Sequence, residues 1–377
     1  MKNIPLFRTH ISARAIERVE QVLLNGWLGA GKHVEKFEND FKEKYNAPAA
    51  VMLTSCTAAL HLSCKLVEKR SPGKWWIITT PMTFIATNHA IRMVGLQPNF
   101  ADIDPTTGNI SPESIKELVD KNRSIIAGIM VVHYAGLPAD MDAIYEIAGD
   151  IPVIQDAAHA MGAKYKDKWI GSFGDYICYS MNAKKNCPSG DGGMLVVRKQ
   201  DEELVRRWRW FGITKETYER DEDHYKWQYD VPFMGYKYDP TDIVAAIARS
   251  EFEQLEHYND IRRKYMEIYR EELTNVPGIT LLANPDDRTT GAHMMVVLAE
   301  NRGGLGRKLN ENNIDFGVHY TPSNCFNCFG RGYGEAFCKK TTPNAWEFYK
   351  KCITLPLHLY LNESTVHWIC SKIKEGW

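Results

Sequence analysis

The segment from residue 153 to residue 193 carries one carboxylate and two amines in an order that suits a single cofactor. Asp156 closes the apolar run VIQD, and Lys184 and Lys185 precede the glycine-rich turn SGDGG. A carboxylate holds a pyridine nitrogen protonated, and an amine forms a Schiff base with an aldehyde. Pyridoxal phosphate requires both groups. The segment therefore predicts a pyridoxal phosphate site, and these residues alone leave open which lysine points inward.

Each of these residues also has an ordinary structural interpretation. An aspartate after a strand is often a helix N-cap, and two adjacent lysines are typical of a solvated loop. The loop of Lys184 and Lys185, however, lies between apolar strands and glycines. An amine buried there has a lowered pKa and becomes nucleophilic. Asp156 is expected beyond the carboxyl end of a strand, where ligands of parallel sheets bind.

Further polar and aromatic residues follow predicted strands. Residues 54–58 (TSCTA) join a strand to a helix, where exposed N–H groups and hydroxyls suit a phosphate. Phe84 follows another strand and either stacks on a flat ring or packs in the core. His159 and His319 are each either ligand contacts or partly buried imidazoles with ordinary partners. These residues extend the candidate site.

Apolar strands and amphipathic helices alternate over the first 240 residues. This alternation predicts an α/β fold in which helices cover both faces of a mostly parallel sheet. After about residue 240 the pattern changes to one long predicted helix over 241–274, followed by a smaller unit. We expect a large domain over 1–245, with an N-terminal substrate loop, and a small C-terminal domain over 246–377.

Composition narrows the class of protein. The chain has 377 residues, of which 44% are hydrophobic and 25% charged, with a net charge of −1. Nucleic acid and acidic membrane surfaces are not expected partners, and no apolar run approaches the ~20 residues that span a bilayer. The nine cysteines are scattered, which favours reduced thiols and a cytoplasmic location. Cys325 and Cys328 form a lone CxxC, so no metal site is expected.

Several blocks of the chain match one family in the same order. They are GWLGAG, SCTAALHLS, PMTFIATNHAI, DAAHAMGAKY, SMNAKKNCPSGDGGML and GYKYDPTDIVAAI. Through these blocks the chain resembles the sugar aminotransferases of the DegT/DnrJ/EryC1/StrS family over nearly its whole length. The resemblance implies a fold type I pyridoxal-phosphate enzyme, with a mixed, mostly parallel sheet sandwiched by helices and a smaller C-terminal α+β domain.

The resemblance also implies roles for individual residues. Lys185 aligns with the lysine that forms the Schiff base, which selects it from the pair. Asp156 is expected at the ring nitrogen, His159 near the ring hydroxyl and Phe84 on the ring face. The expected phosphate contacts are Ser180, the backbone of Cys56 and Thr57, and, across a homodimer interface, Lys237. The expected substrate contacts are Trp27, Leu28, Gly29, His319 and Tyr320.

Three departures from the family pattern bear on the site. Cys56 replaces a glycine of the phosphate loop, and Asp239-Pro240 replaces an Arg-Met pair. Asn324, in the block HYTPSN, stands where many members have histidine. Since that block helps bind substrate in the family, the sequence defines the identity of the acceptor substrate less well than that of the cofactor.

The resemblance implies ping-pong transamination by a homodimer with shared active sites. L-Glutamate is the expected donor, and pyridoxamine phosphate links the two half-reactions. The expected acceptor is a nucleotide-linked 4-keto-6-deoxyhexose. A 3-keto sugar nucleotide, an inosose or a small phosphorylated ketone is the alternative acceptor. Two further alternatives are a sugar dehydratase and a non-enzymatic sensor with the same fold. Lys185 argues against the dehydratase, because dehydratases of the family have histidine at that position.

Overall fold

A mixed sheet forms the centre of the structure, a computed structural model that describes residues 3–214, 229–329 and 334–377. Within those residues, seven strands join in the order β1-β9-β8-β5-β4-β2-β3. All neighbours are parallel except at β9, which is antiparallel to both β8 and β1. The strands are β1 Ala50–Leu53, β2 Trp76–Thr79, β3 Gln97–Phe100, β4 Ile126–Val132, β5 Val153–Asp156, β8 Tyr176–Ser180 and β9 Gly193–Val197.

Two hydrophobic cores cover the two faces of this sheet. Along β4, Ile129 and Val131 face one core, and Met130 between them faces the other, as the two-residue period of a strand requires. The helices of this part are α1 Ala13–Asn25, α2 Lys32–Tyr45, α3 Cys56–Arg70, α4 Ile85–Met93, α5 Pro112–Asn122, α6 Met141–Ala148 and α7 Glu202–Arg209. The expected α/β fold, with a mostly parallel sheet between helices, is confirmed.

The long helix expected over 241–274 is wrong, because the structure has two helices there. They are α8 Asp242–Glu253 and α9 Leu255–Leu273, separated at Gln254. The N–H of Gln254 bonds to carbonyls three and two residues back, so the regular hydrogen-bond ladder stops. The break coincides with a change of neighbours, since α8 packs on α1 and α2, whereas α9 packs on the C-terminal helix α13 Glu363–Lys374.

A smaller unit follows and has its own core. Its antiparallel sheet has the order β10-β12-β13, and a further small sheet joins β11 to β6 and β7. The remaining elements are β6 Lys164–Tyr165, β7 Lys168–Trp169, β10 Ile279–Leu281, β11 Arg288–Thr289, β12 Met295–Ala299, β13 Cys352–Leu355, α10 Arg302–Glu311, α11 Glu335–Thr341 and α12 Pro343–Lys351. The domain boundary expected at residue 245 stays a prediction.

The N-terminal segment returns to the smaller unit. Ile4 bridges to Ile314 and packs against the core of that unit. Beyond it, Thr9 donates its hydroxyl to the carbonyl of Ala183 at 2.7 Å. Residues 4–9 therefore run from the smaller unit to the loop that precedes the lysine pair.

Candidate active site

The carboxyl ends of β1, β2, β5 and β8 lie at one edge of the central sheet, because β9 alone runs in the opposite direction. A cavity of about 640 Å³ opens at this edge. It brings together most of the residues singled out from the sequence, namely Cys56, Thr57, Phe84, Asp156, His159, Ser180, Lys184, Lys185, His319 and Tyr320.

Asp156 is the last residue of β5, and its carboxylate is buried at the cavity. Thr87 of α4 donates its hydroxyl to Oδ2 at 2.7 Å, and the N–H of Ala158 donates to Oδ1 at 3.1 Å. Burial raises the pKa of Asp156, while these two donors and Lys185 lower it. Asp156 therefore accepts a hydrogen bond from the backbone of a tight turn and does not cap a helix. Its carboxylate lines the cavity.

The two lysines have different surroundings. Lys184 is exposed, whereas Lys185 is half-buried. Burial lowers the pKa of Lys185 from 10.5 to about 8, against the opposing effects of Cys56 and Asp156. A substantial fraction of this amine is neutral near pH 8, which an amine needs in order to attack a carbonyl carbon. The structure thus favours Lys185 as the reactive member of the pair.

Helix α3 directs its first backbone N–H groups at the cavity. Ser55 caps the helix by accepting from the N–H of Ala58 at 3.1 Å. The N–H groups of Cys56 and Thr57 have no acceptor among the described residues. Such groups, with the positive end of a 15-residue helix, suit a phosphate. Burial raises the pKa of the Cys56 thiol well above its usual range, so this side chain stays neutral.

Strand β9 begins in close contact with the start of α3. A Cβ at Gly193 would lie 2.3 Å from the carbonyl oxygen of Ser55 and 2.6 Å from the nitrogen of Cys56. Any larger residue would displace the helix start. Ser180, which ends β8 and pairs with Gly193, is buried beside the same helix start. The packing of two strands thus holds the N–H groups in place.

Phe84 precedes α4 and lines the cavity while 59% exposed. The core-packing interpretation of Phe84 is therefore wrong, because a core side chain is buried. Its ring lies 6.2 Å from that of Tyr320, centroid to centroid. An aromatic face left open at a cavity is suited to stacking on a planar ligand.

His159 belongs to a stack of four rings. His293 stacks on it at a centroid distance of 4.6 Å, and Tyr320 lies 6.1 Å from it with its ring nearly parallel. Phe7, from the N-terminal segment, stacks on the far face of His293 at 5.7 Å. The Tyr320 hydroxyl pairs with Nε2 of His159 at 3.1 Å, and Nδ1 of His159 is buried without a partner. Burial lowers the pKa of His159 well below its usual range, so the imidazole is neutral.

His319 is half-buried at the cavity wall. Its Nδ1 pairs with the Thr354 hydroxyl at 2.8 Å, and burial lowers its pKa to about 4. The ring of Phe7 meets His319 edge to face at 5.8 Å. Neutral imidazoles and aromatic rings therefore form part of the cavity wall.

Four expected site residues lie outside this cavity. Trp27, Gly29 and Lys237 line a separate cavity of about 150 Å³. Lys237 pairs with Asp239 at 2.6 Å, and its ammonium lies 4.0 Å above the ring of Trp210. Leu28 is 45% exposed. A single chain does not bring these residues to the lysine, so their roles stay predictions.

Four residues of the cavity region were missed in the sequence. Thr87 lies three residues after Phe84 on the same helix face, a spacing that could have revealed it. His293, Phe7 and Asn186 had no comparable signal. Phe7 and His293 come from segments 150 or so residues from Asp156, and only folding brings them together. Asn186 follows Lys185 directly, but its partners are distant in sequence.

Among the described residues, no group of three or more side chains is arranged to hold a metal, including at the CxxC motif. Cys328 is exposed, with its sulfur 3.7 Å from Nε2 of His89. All nine cysteines are free thiols. Every helix in the described ranges is too short or too polar to cross a membrane.

The cavity fits pyridoxal phosphate. A buried carboxylate at Asp156 matches the ring nitrogen, and the unpaired Nδ1 of His159 matches a ring hydroxyl. The N–H groups of Cys56 and Thr57 match the phosphate, and the amine of Lys185 matches the aldehyde. These donors and acceptors have the polarity that each part of the cofactor requires.

Fold and site together define a fold type I pyridoxal-phosphate enzyme. The family model of the DegT/DnrJ/EryC1/StrS aminotransferase family matches residues 9–374, and the chain belongs to that family. It is a pyridoxal-phosphate-dependent transaminase of the sugar aminotransferase class. The expectations of family, enzyme class and cofactor are confirmed.

Relatives span the whole chain. The spore coat polysaccharide biosynthesis protein SpsC of Bacillus subtilis is 32% identical over 377 residues, which cover 97% of this chain and 95% of that protein. The UDP-4-amino-4-deoxy-L-arabinose–oxoglutarate aminotransferase of Shewanella sediminis is 32% identical over 386 residues, which cover 99% and 97%. The solved structure of the sugar aminotransferase CalS13 from Micromonospora echinospora has a TM-score of 0.89 at 27% identity, and covers 99% of this chain and 100% of that one.

Proposed function

We propose that the enzyme moves the amino group of L-glutamate to the keto carbon of a nucleotide-linked 4-keto-6-deoxyhexose. The name of the Shewanella relative, which includes a 4-amino sugar nucleotide and oxoglutarate, supports both the carbon and the donor. The observation that carries the transfer itself is the half-buried Lys185, with a pKa of about 8, in the same cavity as buried Asp156. We also propose a cytoplasmic location, which the nine free thiols support.

Each cavity residue has a defined task in this proposal. Asp156, held by Thr87, keeps the proton on the ring nitrogen. The Nζ of Lys185 takes the α-proton of the amino donor and acts as a general base near its own pKa. Pyridoxal phosphate, when bound, supplies the carbonyl that accepts the amine and a ring that withdraws electrons. Phe84 covers one ring face and limits the access of water to it.

A panel of ketones tests the acceptor. The holoenzyme is incubated with L-glutamate and one ketone at a time, and amino product and 2-oxoglutarate are measured by mass spectrometry. The panel contains 4-keto-6-deoxyhexoses on several nucleotides, 3-keto sugar nucleotides, an inosose and small phosphorylated ketones. We expect the highest kcat/KM with a 4-keto-6-deoxyhexose nucleotide. Activity confined to another group would assign that group instead, and a lack of activity on every sugar nucleotide would refute the acceptor.

A shared active site gives a sharp prediction for mixed dimers. We propose a homodimer in which Lys237 contacts the phosphate bound by the other subunit; its side chain is 57% exposed, which supports this reach. Lys185→Ala and Lys237→Ala chains mixed one to one place one intact site in half of the dimers. If each variant alone is nearly inactive, the mixture should regain about one quarter of wild-type activity.

Subunits are exchanged by unfolding and refolding the mixture. The refolded mixture is compared with each variant alone and with wild-type protein taken through the same steps. A mixture no more active than the sum of its parts would show that Lys185 and Lys237 act within one chain, or that Lys237 has no role at the phosphate.

A further inference from the structure

A chain of fixed hydrogen bonds determines which nitrogen of His293 carries its proton. Arg262 is buried and is a donor only, and its NH1 donates to Oδ1 of Asn259 at 3.2 Å. The amide nitrogen of Asn259 donates to the carbonyl of Met161 at 3.0 Å. With one carbonyl and one guanidinium as neighbours, the Asn259 amide has only one orientation that satisfies both.

The next amide in the chain is fixed in the same way. The amide nitrogen of Asn186 donates to Oδ1 of Asn259 at 2.8 Å and to the carbonyl of Gly291. Its oxygen must then be the acceptor for Nδ1 of His293, 3.1 Å away. Since an amide oxygen cannot donate, Nδ1 of His293 carries the proton. The other nitrogen, Nε2, is left as an acceptor.

That acceptor has no partner in the described part of the chain, although His293 is only 5% exposed. The ring lies between Phe7 and His159, and its Nδ1 edge points to Asn186. Nε2 therefore lies on the ring edge away from Asn186, and His293 lines the cavity. Burial, together with the charges of Lys185 and Arg262, lowers the pKa of His293 well below its usual range. The imidazole thus stays a neutral acceptor.

We propose that Nε2 of His293 accepts a hydrogen bond from a hydroxyl group of the sugar acceptor and helps select that substrate. This proposal rests on the proposed sugar acceptor. A lone pair repels the carboxylates of L-glutamate, whereas a sugar offers several hydroxyl donors. Nδ1 of His159, which is buried without a partner, is already available to the ring hydroxyl of the cofactor. His293 is therefore a specificity-determining residue of the acceptor half-reaction.

Two substitutions separate the hydrogen bond from the stacking. His293→Phe keeps a ring between Phe7 and His159 but removes the acceptor, and His293→Gln restores an acceptor oxygen near the position of Nε2. With the keto sugar found by the panel, we expect His293→Phe to raise the acceptor KM about tenfold, equivalent to ~1.4 kcal/mol. His293→Gln should remain within about threefold of wild type. The KM for L-glutamate and the Kd of the cofactor should change less than about twofold in both.

Acceptors that lack one hydroxyl at a time identify the contact. The wild-type enzyme should lose about tenfold in kcat/KM on one of them, and His293→Phe should lose nothing further on that analogue, because the partner is already absent. In the free wild-type protein, ¹⁵N spectra of labelled histidine should show His293 protonated at Nδ1 and unprotonated at Nε2 from pH 6 to 8. That measurement is independent of any substrate.

The outcomes are distinguishable. If the wild-type enzyme is inactive with every sugar nucleotide, the proposed function is refuted, and the proposed contact between His293 and the sugar is refuted as well. An active wild-type enzyme with an unchanged His293→Phe variant refutes the contact alone. An increase in the cofactor Kd without a change in acceptor KM would assign the bond to the cofactor and overturn the proposal. A proton on Nε2 in the ¹⁵N spectrum would contradict the hydrogen-bond chain itself.

Discussion

Replacing Lys185 with alanine removes the amine that the structure marks as reactive, and Lys184→Ala is the matched control. At pH 7.5 an amine with a pKa of about 8 is about one quarter neutral, whereas an amine at the ordinary 10.5 is about one part in a thousand neutral. The surroundings of Lys185 thus increase its nucleophilic fraction ~240-fold. Burial is the first cause of this change.

The assay follows covalent capture of pyridoxal phosphate by the cofactor-free protein. Samples taken between pH 6 and pH 10 are quenched with borohydride, and mass spectrometry locates the labelled peptide. We expect the capture rate to rise with pH and level off above about 8, since only the neutral amine attacks. In Lys185→Ala, both the labelling at this site and the rate of amino transfer should fall more than about a hundredfold.

Lys184→Ala should keep both the label and the transfer activity. Its rate profile should move to higher pH, because the ammonium of Lys184 lowers the pKa of Lys185 and its removal relieves that effect. A label on Lys184, or a rate that reaches half its maximum only above pH 10, would refute the assignment and its electrostatic cause.

Two further substitutions test the surroundings of the cofactor. Thr87→Val removes a hydrogen-bond donor from the buried carboxylate of Asp156 and so raises the pKa of Asp156. The single-turnover rate with L-glutamate should therefore fall about tenfold or more. Thr87→Ser retains the hydroxyl and should retain the wild-type rate. Gly193→Ala places a Cβ 2.3 Å from the carbonyl oxygen of Ser55, so the Kd of pyridoxal phosphate should rise at least about tenfold. Gly303→Ala, whose Cβ meets nothing closer than 3.8 Å, is the control. An unchanged rate in Thr87→Val, or an unchanged Kd in Gly193→Ala, would contradict these roles.

Much of the large domain was predictable, because its signals are local. Buried parallel strands are short apolar runs, and the residues after them meet at one edge of the sheet. Asp156 and Phe84 could be placed at that edge by this argument alone. Lys185 could not be separated from Lys184 by local signals, and the resemblance to a family made that choice.

The predicted helix over 241–274 shows the limit of local signals. Its residues favour a helix throughout, and nothing in the sequence marks Gln254 as a break. The break lies where packing on α1 and α2 gives way to packing on α13. A change of packing partner overrides helix propensity, which is only a weak preference.

The sequence by itself determined the alternation of elements, the order of the cofactor residues and the family. The tertiary structure decided the ring stack of Phe7, His293, His159 and Tyr320 and the tautomer of His293. The ring contacts and the contact between His293 and Asn186 join residues more than 100 positions apart, which no local pattern records. The burial that lowers the pKa of Lys185 likewise arises only when separate strands and helices enclose it.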